Sequence, residues 1–284
     1  TAAAAARATT LAAWTSIMLI YINGDSNSAG AELVKTYCFA KDDAKFSHLG
    51  YRAHPDAIPL TFGYKLSQTF NAGFFLDAES ASSNDRILRT TLQFLKESPN
   101  VTQDILIVIG WSSWEREEWP YDEDFVQISA SGSDNVPEKM QEKYKTWVSK
   151  QTQATLNKKA RIWHEKIWDL HCKLLQKSIK HLFFNSFMHF NNVAIPVENR
   201  KNWADCYISP YNQNDTYYHW LKLQGYKTVR PNSYHYGEKA QTAWFKYLLS
   251  KLTEKHKAVK IGTVKVVKPR VVKPTLHTRA VRNN

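Results

Sequence analysis

The sequence has only three cysteines, Cys38, Cys172 and Cys206, among 284 residues. An odd number at such wide spacing forms neither a disulfide framework nor a zinc pattern, so they read as reduced and mostly structural. No run of eighteen apolar residues occurs, so no transmembrane helix is expected. The dinucleotide-binding glycine pattern is also missing. Gly24 and Gly30 lack the Gly-x-Gly-x-x-Gly spacing, which disfavours a nucleotide fold. His164-Glu165 is followed by its next histidine at His171, seven positions on. The two imidazoles therefore face differently, and the His-Glu-x-x-His metal pattern is not formed. No cofactor and no metal ion is called for by this inventory.

Aromatic side chains are abundant, with ten Trp, fourteen Tyr and thirteen Phe, and 43% of the chain is hydrophobic. That composition excludes global disorder and suffices for one sizeable core. The formal charge of +12 is unevenly placed. From Lys251 onward ten Lys/Arg face one acid, Glu254, so the tail carries +9 and the first 250 residues only +3. The expected organisation is a leader or non-native extension at 1–17, an α/β domain at 18–253 and a basic, flexible tail at 254–284. Arg7 is the one basic residue of the Ala/Thr-rich leader, and no apolar segment of signal-peptide length follows it. Met18 reads as an original start. A cytoplasmic or virion-associated location is favoured over secretion.

The stretch that organises the rest is Met18 to Gly30. An apolar, β-branched run stops at Gly24-Asp25-Ser26, which predicts a strand at 18–23, a tight turn and a helix at 30–38. The pattern then predicts helices at 62–70 and from Arg86, a short strand at Phe74, and a buried strand from Asp104 to Gly110. An irregular insert at 111–136, two helices within 138–181, a strand from Leu182, a short helix at 215–224 and a last helix at 237–252 follow. Alternating strands and helices predict a three-layer, doubly wound α/β sandwich of flavodoxin-like type with a mainly parallel central sheet. Right-handed crossovers would bring Ser26, Ala81 and Gly110 to one sheet edge, where such folds bind ligands.

A hydroxyl on that first turn is placed as a nucleophile would be, although Asp25 or Ser26 could equally cap the helix. Near the other end, Asn232-Ser-Tyr-His235-Tyr-Gly237 precedes the last helix, so His235 can reach the same edge. Taken together, Gly24-Asp25-Ser26, the Gly110-ended strand and His235 resemble the SGNH/GDSL hydrolase superfamily, in a degenerate phage- or bacterial-type form. The resemblance of order spans residues 18–252. It implies Ser26 as nucleophile, with its own N–H an oxyanion donor, and His235 as general base. Ala81 stands where the second-block glycine would, and Asn84 is a candidate side-chain donor. Ser112, after Gly110, replaces the third-block asparagine. Asn232 replaces the triad aspartate, so either a Ser–His dyad held by a backbone carbonyl or another acid, such as Asp205 or Asp215, would have to serve.

The implied activity is acyl transfer by a serine esterase or acetylesterase. Trp111, Trp114 and Trp119 of the insert suit stacking on the rings of an O-acetylated glycan, or packing over the sheet edge. The rival reading is a catalytically weak SGNH-fold structural or binding protein that docks through the basic tail onto an acidic partner. A third reading, nucleic-acid binding, rests on tail charge alone and requires affinity that falls steeply with salt.

Overall fold

The computed structural model describes residues 18–98, 104–132 and 136–255. The leader and the tail beyond Lys255 lie outside them. In chain order the elements are β1 (Leu19–Asn23), the one-turn helix α1 (Ser26–Ala29), α2 (Phe62–Phe70), β2 (Gly73–Leu76), α3 (Asn84–Glu97) and β3 (Ile105–Trp111). Then come β4 (Glu117–Tyr121), β5 (Asp124–Ile128), α4 (Gln141–Ser149), α5 (Gln153–Gln176), β6 (Lys180–Asn185), α6 (Tyr217–Leu223) and α7 (Glu238–Lys255). The molecule is an α/β protein, as expected. Four parallel strands lie in the order β2-β1-β3-β6.

The side-chain period of two explains why β3 is a continuous apolar run. Ile105, Ile107, Ile109 and Trp111 face a core shared with Ile87 of α3 and Trp163, Ile167, Leu170 and Leu174 of α5. Leu106 and Val108 face the opposite core, with Phe62 and Leu66 of α2 and Trp244 and Leu248 of α7. Helices therefore cover both faces, and a strand buried on both sides must be apolar at every position. The chain steps from β1 outward to β2, then returns across β1 to β3. Strand order reverses between β1 and β3, so the loops after them diverge and leave a crevice at their carboxyl ends.

Two local expectations are corrected. No helix forms at 30–38, where the chain runs in turns; the single turn α1 lies earlier, at Ser26–Ala29, and is ended by Gly30 in the left-handed conformation at φ 76°. Glu32, Lys35 and Thr36 also have positive φ, so the chain winds through turns and redirects Glu32 inward. The insert after β3 is not irregular throughout. It contains the antiparallel hairpin β4–β5, paired from Glu117 opposite Ile128 to Tyr121 opposite Asp124.

The tryptophans of the insert are core residues. Trp111, Trp114 and Trp119 are all at most 5% exposed. Trp114 stacks on Phe190 at 4.6 Å, and Trp119 meets Trp147 edge-on. They offer no open ring face to a sugar.

Candidate active site

Ser26 opens α1 at the carboxyl edge of β1, and the turn before it is built by close approach. Gly24 has φ 153°, and a Cβ there would stand 2.9 Å from the Gly110 carbonyl oxygen. Gly110 in turn leaves no room for a side chain. A Cβ would meet the Phe184 ring at 2.6 Å and Ser28 Oγ at 2.8 Å. Glycine at both positions lets the ends of β1 and β3 converge.

Asp25 is fully buried and is the N-cap of α1. Its Oδ1 accepts from the Asn27 N–H at 3.0 Å and from Ser186 Oγ at 3.2 Å. Its Oδ2 accepts from Ser112 Oγ at 3.0 Å, and Arg116 Nη1 stands 4.0 Å away. The acid thus ties the strand ends of β1, β3 and β6 into one floor. Ser112 places its hydroxyl on Asp25. Its backbone is gripped by Asn84, whose Oδ1 accepts from the Ser112 N–H at 2.7 Å while Nδ2 donates to the Ser112 carbonyl at 3.1 Å. Asn84 and Ser112 therefore position the edge.

Ser26 itself is 5% exposed. Its Oγ makes no hydrogen bond among the described residues, yet it is not sealed in the interior as Ser28 Oγ is. Beside it, Asn27 is buried with both amide atoms unpartnered among the described residues. An unsatisfied buried amide costs about 1–3 kcal/mol per group.

His235 lies in the loop before α7. That helix is anchored to the turn that carries Ser26 by Gln241, which donates to the Asn27 carbonyl at 3.1 Å. The histidine's acid is Glu32, whose Oε2 is 2.6 Å from His235 Nδ1. Ser233 Oγ also donates to Oε2, and Arg230 Nε donates to Oε1 at 2.6 Å. Burial by itself would raise the Glu32 pKa. The hydrogen bonds from His235, Ser233 and Arg230 outweigh it and hold the carboxyl at about 2. An ionised carboxylate only accepts, so His235 Nδ1 carries a proton and donates it to Glu32. No hydrogen bond joins His235 to Ser26 among the described residues.

Asn232 is exposed, in the left-handed conformation at φ 64°. Asp205 is exposed, and Asp215 accepts from Asn212 Nδ2 at 2.7 Å and from the Tyr247 hydroxyl at 3.3 Å. None of the three is the acid on His235. The sequence pattern puts Glu32 on a helix and gives no sign of its role. Only its run of positive-φ neighbours brings it inward. Two further side chains that the sequence does not single out reach this floor, Ser186 from the end of β6 and Arg116 from the insert; for Arg116 the reach is through Nη1. Its Nη1 also donates to the Ser82 carbonyl at 3.3 Å.

Ala81 adopts φ 66°, so its turn takes the left-handed form that glycine would adopt without strain. A cleft of about 640 Å³ opens beside it, walled by Tyr51, Arg86, Arg89, Phe125 and Gln127. Ser26 and His235 do not line that cleft. Cys38 stands with Glu32 and His235, donor atoms within 4.8 Å of one another. Burial pushes its thiol pKa up. The Arg230 guanidinium on Glu32 opposes a cation there.

Residues 43–195 match the model of a family of unknown function, DUF6071. That is more than half of the chain. The chain belongs to this family. The matched span includes Ala81, Asn84, Gly110 and Ser112 and excludes Ser26, Glu32 and His235. No curated protein and no solved structure matches the chain.

Proposed function

We propose that this DUF6071 member is a serine hydrolase of SGNH type, an esterase acting by acyl transfer. The observation that carries the reading is the Glu32–His235 pair at 2.6 Å. It supplies the acid that the sequence lacks at Asn232. In the reaction His235 Nε2 takes the Ser26 proton as Oγ attacks the ester carbonyl. Glu32 holds the imidazole in the required tautomer and stabilises the imidazolium that forms. The N–H groups of Ser26 and Ala81 are the oxyanion donors. The imidazolium then protonates the leaving alcohol, and water releases the acyl group by the reverse sequence.

Ester substrates with a small acyl group suit the closely packed turn, and an O-acetylated glycan is one such class. Its sugar would need a surface other than the buried tryptophans. A second reading has a specific observation behind it. The Ser112 hydroxyl donates to Asp25, and Ser26 and His235 do not touch. A catalytically weak domain that binds through the same edge has these features.

The test is hydrolysis of p-nitrophenyl acetate by the full chain beside Ser26→Ala, with fluorophosphonate labelling of both. Turnover and labelling that vanish in the variant establish the nucleophile. Background rates in both, with Ser26 unlabelled, leave the binding reading in place.

A further inference from the structure

A second cluster of reactive side chains lies on the α5 face of the sheet, short of the strand ends where Ser26 stands. His171 comes from α5, His181 from β6 in register with Ile107 of β3, and Cys206 from the loop that follows. All three are buried, and their donor atoms lie within 4.8 Å of one another. His181 Nδ1 is 2.9 Å from the Ile179 carbonyl. A carbonyl only accepts, so Nδ1 carries the proton and Nε2 presents its lone pair inward, 2.8 Å from His171 Nδ1. Metal-binding histidines are held in this way, one ring nitrogen on a backbone carbonyl and the other on the ion.

Cys206 is presented by a turn with Ala204 and Asp205 both left-handed, at φ 48° and 57°. The turn is closed by the Cys206 N–H on the Trp203 carbonyl at 2.8 Å, and the Cys206 carbonyl accepts from the Phe183 N–H of β6 at 2.7 Å. Trp168 and Trp203 pack on the His171 ring at 5.0 and 5.5 Å.

We propose that His171, His181 and Cys206 bind a single zinc ion in a structural site. Two imidazoles and a thiolate suit a borderline-soft ion and disfavour magnesium or calcium, which take oxygen ligands. Two nitrogens on tetrahedral zinc stand about 3.3 Å apart, against the present 2.8 Å contact, so on binding the two rings part slightly and turn until both lone pairs face one ion. The Cys206 thiol faces the Ala204 carbonyl at 3.6 Å, and water would complete the tetrahedron as fourth ligand. The proton between the two rings moves to His171 Nε2 on binding, and the Cys206 thiol releases its proton to solvent. Zinc thereby clamps α5, β6 and the 203–206 turn together, apart from any step at Ser26. The wide spacing of these ligands, 10 and 25 residues apart in sequence, hides them from a motif search.

The experiment is metal analysis of the full chain purified without a histidine tag, followed by titration of zinc-stripped protein with cobalt(II). One zinc per chain is expected, together with a near-ultraviolet thiolate-to-cobalt charge-transfer band. Cys206→Ser should remove that band, His171→Gln should weaken cobalt binding by about tenfold or more, and Cys38→Ser should change neither. Background zinc together with no cobalt spectrum in the unaltered chain overturns the site. So does a charge-transfer band that survives Cys206→Ser or is lost in Cys38→Ser. The reading on the unaltered chain stands whether or not the variants fold.

Discussion

Glu32 Oε2 stands 2.6 Å from His235 Nδ1 across 203 residues of chain. The pair joins the turn after the first helix to the loop before the last, and it is why a sequence with Asn at 232 can still orient its histidine. If the site is a triad, Glu32→Gln keeps the shape but lets the side chain donate as well as accept, and the tautomer is no longer fixed. Ester hydrolysis should fall by roughly 10²–10⁴ in kcat with little change in KM. Glu32→Asp should recover part of it. Asn232→Asp should gain almost nothing, because the His235 Nδ1 proton is already taken. A large gain in Asn232→Asp would move the acid role away from Glu32.

The same carboxylate gives a pH dependence of stability. Its folded pKa is about 2, against an ordinary 4.5. A depressed pKa stabilises the fold above the unfolded value, and the contribution is lost as pH falls from about 4.5 through 2. Glu32 is almost fully buried, and the full contribution is of the order of 3 kcal/mol. Urea midpoints of the wild type and Glu32→Gln should therefore converge between pH 4.5 and 2.5. Parallel curves over that window would show that Glu32 is not held ionised in the fold.

Asp25 tests the floor of the site separately from its chemistry. Asp25→Ala removes the cap of α1 and leaves the Ser112 and Ser186 hydroxyls without their acceptor. A lost cap costs about 1 kcal/mol, and each stranded hydroxyl about 1–3. A destabilisation of roughly 3–7 kcal/mol is expected by denaturant titration, with Ser112→Ala milder because the Asp25 carboxylate keeps its other donors. A change under 0.5 kcal/mol in Asp25→Ala would mean that water replaces these bonds freely.

The alternation of strands and helices and the parallel central sheet with helices on both faces were legible in the sequence, because continuous apolar runs carry them; the strand order was not. The hairpin β4–β5 was not. Its strand Glu117-Glu-Trp-Pro-Tyr carries charges and a proline, and it pairs only with its neighbour. The tight turn after the first strand and the loop that carries His235 before the last helix were legible as a pattern. Glu32 was not, because positive φ at a glutamate has no signal in composition or period. The tryptophans of the insert offered two readings, and packing against Phe190, Trp163 and Trp147 decides for the core.

Ala81 carries the last prediction, in which stability and activity separate. Its backbone is left-handed at φ 66°, a conformation that costs an L-residue about 1 kcal/mol and glycine nothing. Ala81→Gly relieves that strain but also gives the unfolded chain more freedom, about 0.4–1 kcal/mol in the opposite direction. The net change should therefore stay within about 1 kcal/mol, read as a small shift in Tm. The Ala81 N–H is unchanged in kind, so if it serves the oxyanion, kcat should hold within a few-fold. Ala81→Pro is the contrast. It removes the N–H, and its fixed φ near −65° cannot enter the left-handed turn. That variant should lose roughly 10²–10³ in kcat as well as stability. Near-wild-type turnover in an Ala81→Pro chain that still folds would take this backbone out of the oxyanion site.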